Sequence, residues 1–369
     1  MKTILLIFIF INIPAFGQEF NSIEQAEKNP NNVKILDLSN QNLKILPTQI
    51  SKYRNLIEID LGQNPNLNLE QSFNILKNNK KLKTIYLQEN NLENLPLNIS
   101  EIKNLKELWL DGNNFYEIPK SINKLEKLEY LRLFSNNISK ISFTENDLPK
   151  LNSIDLCYNN FNDFPVELSK LKNLQYIVMW YSKVENISAE IENLNKIKVL
   201  NLEGNNISQL PIQFSKLKEL EKLSLRNNIL ETNSLSPIWQ LKKLKELEIE
   251  NNKIYELPSD VSNLKKLKSL SIGINPLKTI PKSISKLKNV EQIGLVSLKN
   301  FNWAECFEII SKIKSLKRIG FPSCDLSKMP DGFEKLIQVK TFWLNGNSFD
   351  NSEQERLKKI LPNAELKFN

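Results

Sequence analysis

The sequence predicts an α/β solenoid: short repeat units stacked side by side, each giving one strand to a single parallel β-sheet, with 3₁₀, extended or short helical segments on the other side. Three observations carry this. An apolar pattern recurs fourteen times, its first residues running from Val33 to Val339, with ten of the thirteen steps equal to 23 residues, two to 26 and one to 24. Within each unit, apolar positions 4 and 6 (Leu108 and Leu110, for example) alternate with polar neighbours, the period of a strand with one buried face. Position 9 is asparagine in ten units, a residue whose amide can satisfy backbone groups where the chain turns out of a strand.

Taken in order, the chain opens with Lys2, a short apolar run from Ile4 to Ile13 and the small-residue site Ala15-Phe16-Gly17. This reads as a secretory signal over residues 1–17, cleaved before Gln18. The run is too short to cross a bilayer comfortably, and no cysteine follows it to take a lipid. Residues 18–32 read as an N-terminal helical cap, with Ser22 as N-cap, acidic residues in the first turn and Asn29-Pro30 as the stop. Residues 33–350 hold about fourteen repeats. Position 9 departs from asparagine at Gln41, Ser182, Leu298 and Cys324. After each turn comes a segment such as Leu210–Leu220, whose proline disfavours helix in the residue before it. The two longest units contain helix-like inserts at Leu67–Asn78 and Asn302–Leu316. Residues 351–369 read as a C-terminal cap, a helix followed by a closing strand.

Written out, the unit is L-x-x-L-x-L-x-x-N-x-L-x-x-L-P, and this pattern resembles the leucine-rich repeat family over about nine-tenths of the mature chain. The resemblance implies a horseshoe with a concave parallel sheet. The LPxxIxxLxxL segments resemble the scaffold-type repeats of Ras-linked plant and animal proteins and of secreted bacterial ones, and the Lys-, Ile- and Asn-rich composition points to a bacterial source.

Stacking lets the sequence be read as columns about 5 Å apart. Positions 3, 5, 7 and 8 are expected to project from the concave side, and aromatic residues concentrate there between the third and seventh units. The candidate partner-binding residues are Tyr86, Trp109, Tyr130, Arg132, Phe134, Asp155, Tyr158, Tyr176, Trp180 and Tyr181. Rigid rings on an uncovered sheet supply contact area at small entropic cost; the alternative is that they pack on one another to cover it. Arg132 is placed to stack on Trp109 and pair with Asp155. Trp109, Tyr176 and Trp180 are expected to carry most of the affinity. The segment Tyr176–Val184 keeps its core residues Ile177 and Met179 while its displayed residues turn aromatic.

The net charge is +8, which taken alone suggests an acidic partner. The concave columns, however, hold eleven acids against four bases, so the basic balance belongs elsewhere and nucleic acid is not the expected partner. The chain has no histidine, which removes the common general base and most zinc or copper sites. Glu246, Glu248 and Glu250 share a strand face, but Lys222 and Arg226 of the preceding unit stand beside them, which fits a cross-strand ion-pair ladder better than a metal site. The neighbours Asp37 and Asp60 have no enclosed cleft for glycosidase chemistry, and Cys157 lacks an activating base. Cys306 and Cys324 leave a disulfide open. The expectation is a secreted, periplasmic or surface-exposed non-enzymatic binder of a protein or peptide, with a glycan or cell-wall ligand as the alternative. No cofactor, no metal and no stable membrane insertion of the mature chain are expected.

Overall fold

The computed structural model describes residues 19–368, so the segment read as a signal lies outside the described residues. Sixteen parallel strands form one open sheet in sequence order. From β2 (Ile35–Asp37) to β15 (Thr341–Trp343) each strand is three residues long. They pair in register, so that Leu108, Leu131 and Ile154 face one another in successive strands. Position-4 and position-6 side chains are sealed in the core, as at Leu108, Leu110, Leu131 and Leu133. A single apolar core follows the sheet from end to end.

The convex side is built from short 3₁₀ turns. Pro47, Pro96, Pro119, Pro165, Pro211, Pro258 and Pro281 each precede a five-residue 3₁₀ turn. Proline fixes its own φ and pushes the residue before it to extended backbone, so the chain enters these turns from an extended segment. The two long units hold α2 (Leu69–Leu76) and α3 (Trp303–Ile310), capped by the Asn68 and Asn302 side chains. Gln71 on α2 accepts from Leu46 N and donates to Leu46 O, standing in for a strand partner. Around α3, Trp303 and Phe307 pack on Phe321, and Phe307 also on Phe333.

Both ends are closed. β1 (Glu19–Phe20) adds to β2 and buries Phe20, and Ser22 Oγ caps α1 (Ile23–Glu27) by accepting from Gln25 N. That first strand is not legible in the sequence, because two residues are too few for a periodicity. At the other end α4 (Asn351–Ile360) leads into β16 (Glu365–Lys367), which pairs with β15. Buried Glu353 accepts from Met329 N at 2.8 Å and pairs with Arg356.

The position-9 asparagines form a ladder that runs from unit to unit and is interrupted at Leu298. Asn113 Nδ2 donates to Leu87 O, Leu110 O and Asp111 O, while its Oδ1 accepts from Asn90 N and Leu92 N. One amide thus satisfies five backbone groups that the turn would otherwise strand. At Ser182 the hydroxyl keeps the donation to Leu156 O at 2.7 Å, and Phe161 N, deprived of a side-chain acceptor, finds Ser182 O instead. At Cys324 the thiol donates to Leu295 O at 3.3 Å. Cys306 and Cys324 are both free and buried, and the bridge left open by the sequence is not formed.

Position 8 has a property the sequence columns did not expose. In all fourteen units its backbone is left-handed, with φ between 50° and 71°. Gly112, Gly204 and Gly346 and the asparagines Asn40, Asn227 and Asn251 tolerate this readily. Tyr158 and Tyr181, at φ 53° and 52°, do not.

Candidate functional site: the concave aromatic face

Four consecutive strands, β5 (Glu107–Trp109), β6 (Tyr130–Arg132), β7 (Ser153–Asp155) and β8 (Tyr176–Val178), with β4 (Thr84–Tyr86) at their side, carry the candidate residues. Register brings them together in two ring clusters. In the first, Trp109 packs on Tyr86 at 5.2 Å and edge-on to Tyr130 at 5.5 Å between centroids. In the second, Phe134, Tyr158 and Trp180 meet mutually at 5.0–6.1 Å, and Tyr181 stacks on Tyr158 at 5.4 Å with the planes 17° apart.

Arg132 joins the clusters. Its guanidinium lies 4.7 Å from the Trp109 ring and 5.4 Å from Phe134, while Nε stands 3.1 Å from Asp111 and 3.3 Å from Asp155. A planar cation between two rings and two carboxylates is held in one orientation. Asp155 is only 7% exposed, and it also accepts from Cys157 N; it supports the patch from below. Asp111 was not among the residues singled out from the sequence, although its place in the same column as Phe134 could have found it. Burial pushes its carboxyl up to about 7 even with Arg132 beside it.

Exposure separates the candidates. Tyr158 and Tyr181 are 43% and 41% exposed, whereas Tyr86, Trp109, Tyr130, Arg132, Phe134, Tyr176 and Trp180 are half-buried. Tyr176 faces Ser153 and Val199 across the sheet and has no part in the ring contacts just described. Tyr181 lies over Gly204, where an added Cβ would come within 2.6 Å of its ring. Tyr158 and Tyr181, both in left-handed backbone, are the most exposed rings of the face. Cys157, expected to project outward, is instead fully buried, and burial raises its thiol far above the ordinary range.

The rest of the face is acidic. Burial raises Glu58, Asp60 and Glu107 above the usual carboxylate range, and no Lys or Arg occupies a concave position in the first four units. Asp60 is tied to Gly62 N and to Gln88 Nε2. Further along, Lys222 pairs with Glu246 at 2.9 Å and Arg226 with Glu250 at 3.0 Å, the cross-strand ladder read from the columns.

Comparison with known proteins agrees with this architecture. Two family models described as leucine rich repeat match residues 172–230 and 104–125. No curated protein matches the chain by sequence. Among solved structures, a leucine-rich repeat protein of Leptospira interrogans is 28% identical, with a TM-score of 0.71 over 95% of this chain and 100% of that one. A plant peptide hormone receptor solved in complex with its peptide is 24% identical, with a TM-score of 0.60 over 90% of this chain and 54% of the receptor. An internalin from Listeria monocytogenes is 20% identical, with a TM-score of 0.54 over 82% and 83% of the two chains. The last two likenesses show the fold alone.

Proposed function

From the premise that this chain is a leucine-rich repeat protein, we propose that it is an exported, non-enzymatic receptor that binds a protein or peptide on the concave face of the units carrying β4 to β8. The observation that carries this is the second ring cluster. Tyr158, Trp180 and Tyr181 lie on a sheet face that no element of the described chain covers, and Tyr158 and Tyr181 are the most exposed rings on it. Exposed rings held rigidly on a sheet face give a partner a large contact area at small entropic cost. Apart from Asp111, which Arg132 pairs, the carboxylates of the first four units have no concave Lys or Arg of their own, and they favour a partner with cationic side chains beside an apolar anchor. The absence of histidine and the sealed Cys157 thiol leave the face without an activated nucleophile. The apolar run before Gln18 supports action outside the cytoplasm. A plant receptor of the same fold was solved holding a peptide, which is compatible with this reading.

The test is to capture partners with the mature protein, then measure affinity calorimetrically for the wild type and for the double variant Trp180→Ala/Tyr181→Ala. Loss of about 2 kcal/mol or more is expected. Unchanged affinity in a folded variant would sink the proposal. The near-parallel Tyr158 and Tyr181 rings also suit the flat face of a sugar, and binding on a glycan array with no protein partner would replace this reading with that one.

A further inference from the structure

The turns that return the chain to the sheet all lie along one edge of the solenoid. Three positions per unit sit there: the two residues before position 1, and position 2. Over fourteen units these hold 23 Lys or Arg against five Asp or Glu. That excess of eighteen positive charges is more than twice the +8 of the whole chain. The opposite edge, positions 10 to 14, holds seven bases against eight acids. The sequence columns alone placed the basic balance away from the concave face; the structure collects it on this one edge.

The few carboxylates on the edge are locally engaged, as in Lys106–Glu129 at 2.6 Å and Lys243–Glu219 at 2.6 Å. The cations they leave over are mostly exposed. Lys80, Lys81, Lys83, Lys106 and Lys127 line one shallow depression, and Lys242, Lys265, Lys266 and Lys268 form a second exposed group. Such a density of like charge opposes itself, and it is relieved by a counter-surface of the other sign. The edge contains a single arginine, Arg54, and no aromatic residue. It therefore lacks the forked donors and stacking rings that nucleic-acid binding uses. Lysines on flexible stems, two or three per unit along an extended line, match a diffuse sheet of negative charge.

We propose that this edge adsorbs the protein onto an anionic lipid bilayer surface, with the concave face left open at the side for its partner. No helix among the described residues is long and apolar enough to cross a membrane; the attachment proposed is electrostatic and rests on the lysine edge. It does not depend on the concave site.

The experiment is vesicle sedimentation of the mature protein with phosphatidylcholine alone, and with phosphatidylcholine containing about a quarter phosphatidylglycerol, near 0.1 M and 0.5 M salt. Binding is expected to the anionic vesicles only, and to be lost at the higher salt. Each lysine near such a surface contributes roughly fivefold in partition. The variant K242Q/K265Q/K266Q/K268Q should therefore bind at least about tenfold more weakly, allowing for screening. The opposite-edge variant K44Q/K140Q/K183Q/K253Q should change by less than about threefold. The set K242R/K265R/K266R/K268R, which keeps the charge, should bind like the wild type. Equal binding to neutral vesicles, equal losses in the two glutamine variants, or weakening by the arginine set would overturn the proposal. So would retention on polyphosphate or single-stranded DNA with no retention on anionic vesicles.

Discussion

Removing Arg132 tests whether the concave patch is organised by one cation. In Arg132→Met the side-chain volume is roughly kept, but the carboxylates of Asp111 and Asp155, both within 3.3 Å of Nε, face each other without a counter-charge. Breaking a buried ion pair by removing one partner costs about 3–5 kcal/mol. Here a proton offers an escape. Asp111 already titrates near 7 instead of its ordinary 3.8, chiefly through burial and against the pull of Arg132. A folded-state pKa that is raised makes a carboxylate unfavourable to folding above its unfolded value and neutral once pH falls well below it. Wild-type stability should therefore gain from this group as pH drops from about 8 towards 5, and the variant should gain more, because its Asp111 is raised further. The expected loss is about 3 kcal/mol at pH 8 and about 1 kcal/mol at pH 5, the remainder being the cation–π contacts with Trp109 and Phe134. Urea unfolding followed by circular dichroism at both pH values measures this. Adding Asp111→Asn should restore at least half of the loss at pH 8. A loss that is the same at both pH values, or one that Asp111→Asn leaves untouched, refutes an electrostatic hub and makes Arg132 a packing residue.

Two other perturbations follow from the same geometry. Asn159→Ala removes donations to Leu133 O, Leu156 O and Cys157 O and an acceptor for Ile138 N, and should cost about 3 kcal/mol or more; Ser182→Ala, which loses mainly the bond to Leu156 O, should cost about 1 kcal/mol. Equal losses in thermal unfolding would show that the ladder does not distinguish the two positions. Gly204→Ala meets both a φ of 68° and the Tyr181 ring at 2.6 Å. It should lower stability by about 1 kcal/mol and change the tryptophan emission of the neighbouring Trp180, and an unaltered spectrum would mean that Tyr181 is not held over Gly204.

The fold was legible because it is written redundantly. Position 4 and position 6 leucines, the asparagines and the prolines each occur many times, so one irregular unit such as Tyr176–Val184 does not obscure the rest. The column arithmetic likewise placed Arg132 between Trp109 and Asp155, and Lys222 and Arg226 against Glu246 and Glu250. What it could not give was depth. Cys157 and Tyr158 are adjacent and both were read as outward, yet one is fully buried and the other is the most exposed ring of the face. The difference comes from the left-handed backbone at position 8, which swings that side chain clear of the sheet. Its sign was present in the sequence as three glycines and three asparagines in a single column, residues that share tolerance of positive φ.

That left-handed position also explains how the patch can exist at all. A tyrosine there is strained by about 1 kcal/mol or more, and two in succession double the cost. In a compact domain such a conflict would be relieved by a small shift of the loop. In this solenoid the turn is clamped on both sides: Tyr158 N donates to Trp180 O and Tyr181 N to Glu203 O, while the next residues are anchored in turn, Asn159 by donating to Leu133 O and Ser182 N by donating to Asn205 Oδ1. Neighbouring units thus supply the energy that holds the rings out. Gly204 then leaves the space into which Tyr181 leans, and Tyr158 stacks on Tyr181 in turn. The display is a property of three consecutive units together, and transplanting the Tyr181 unit alone between glycine-free neighbours should leave its ring without a seat.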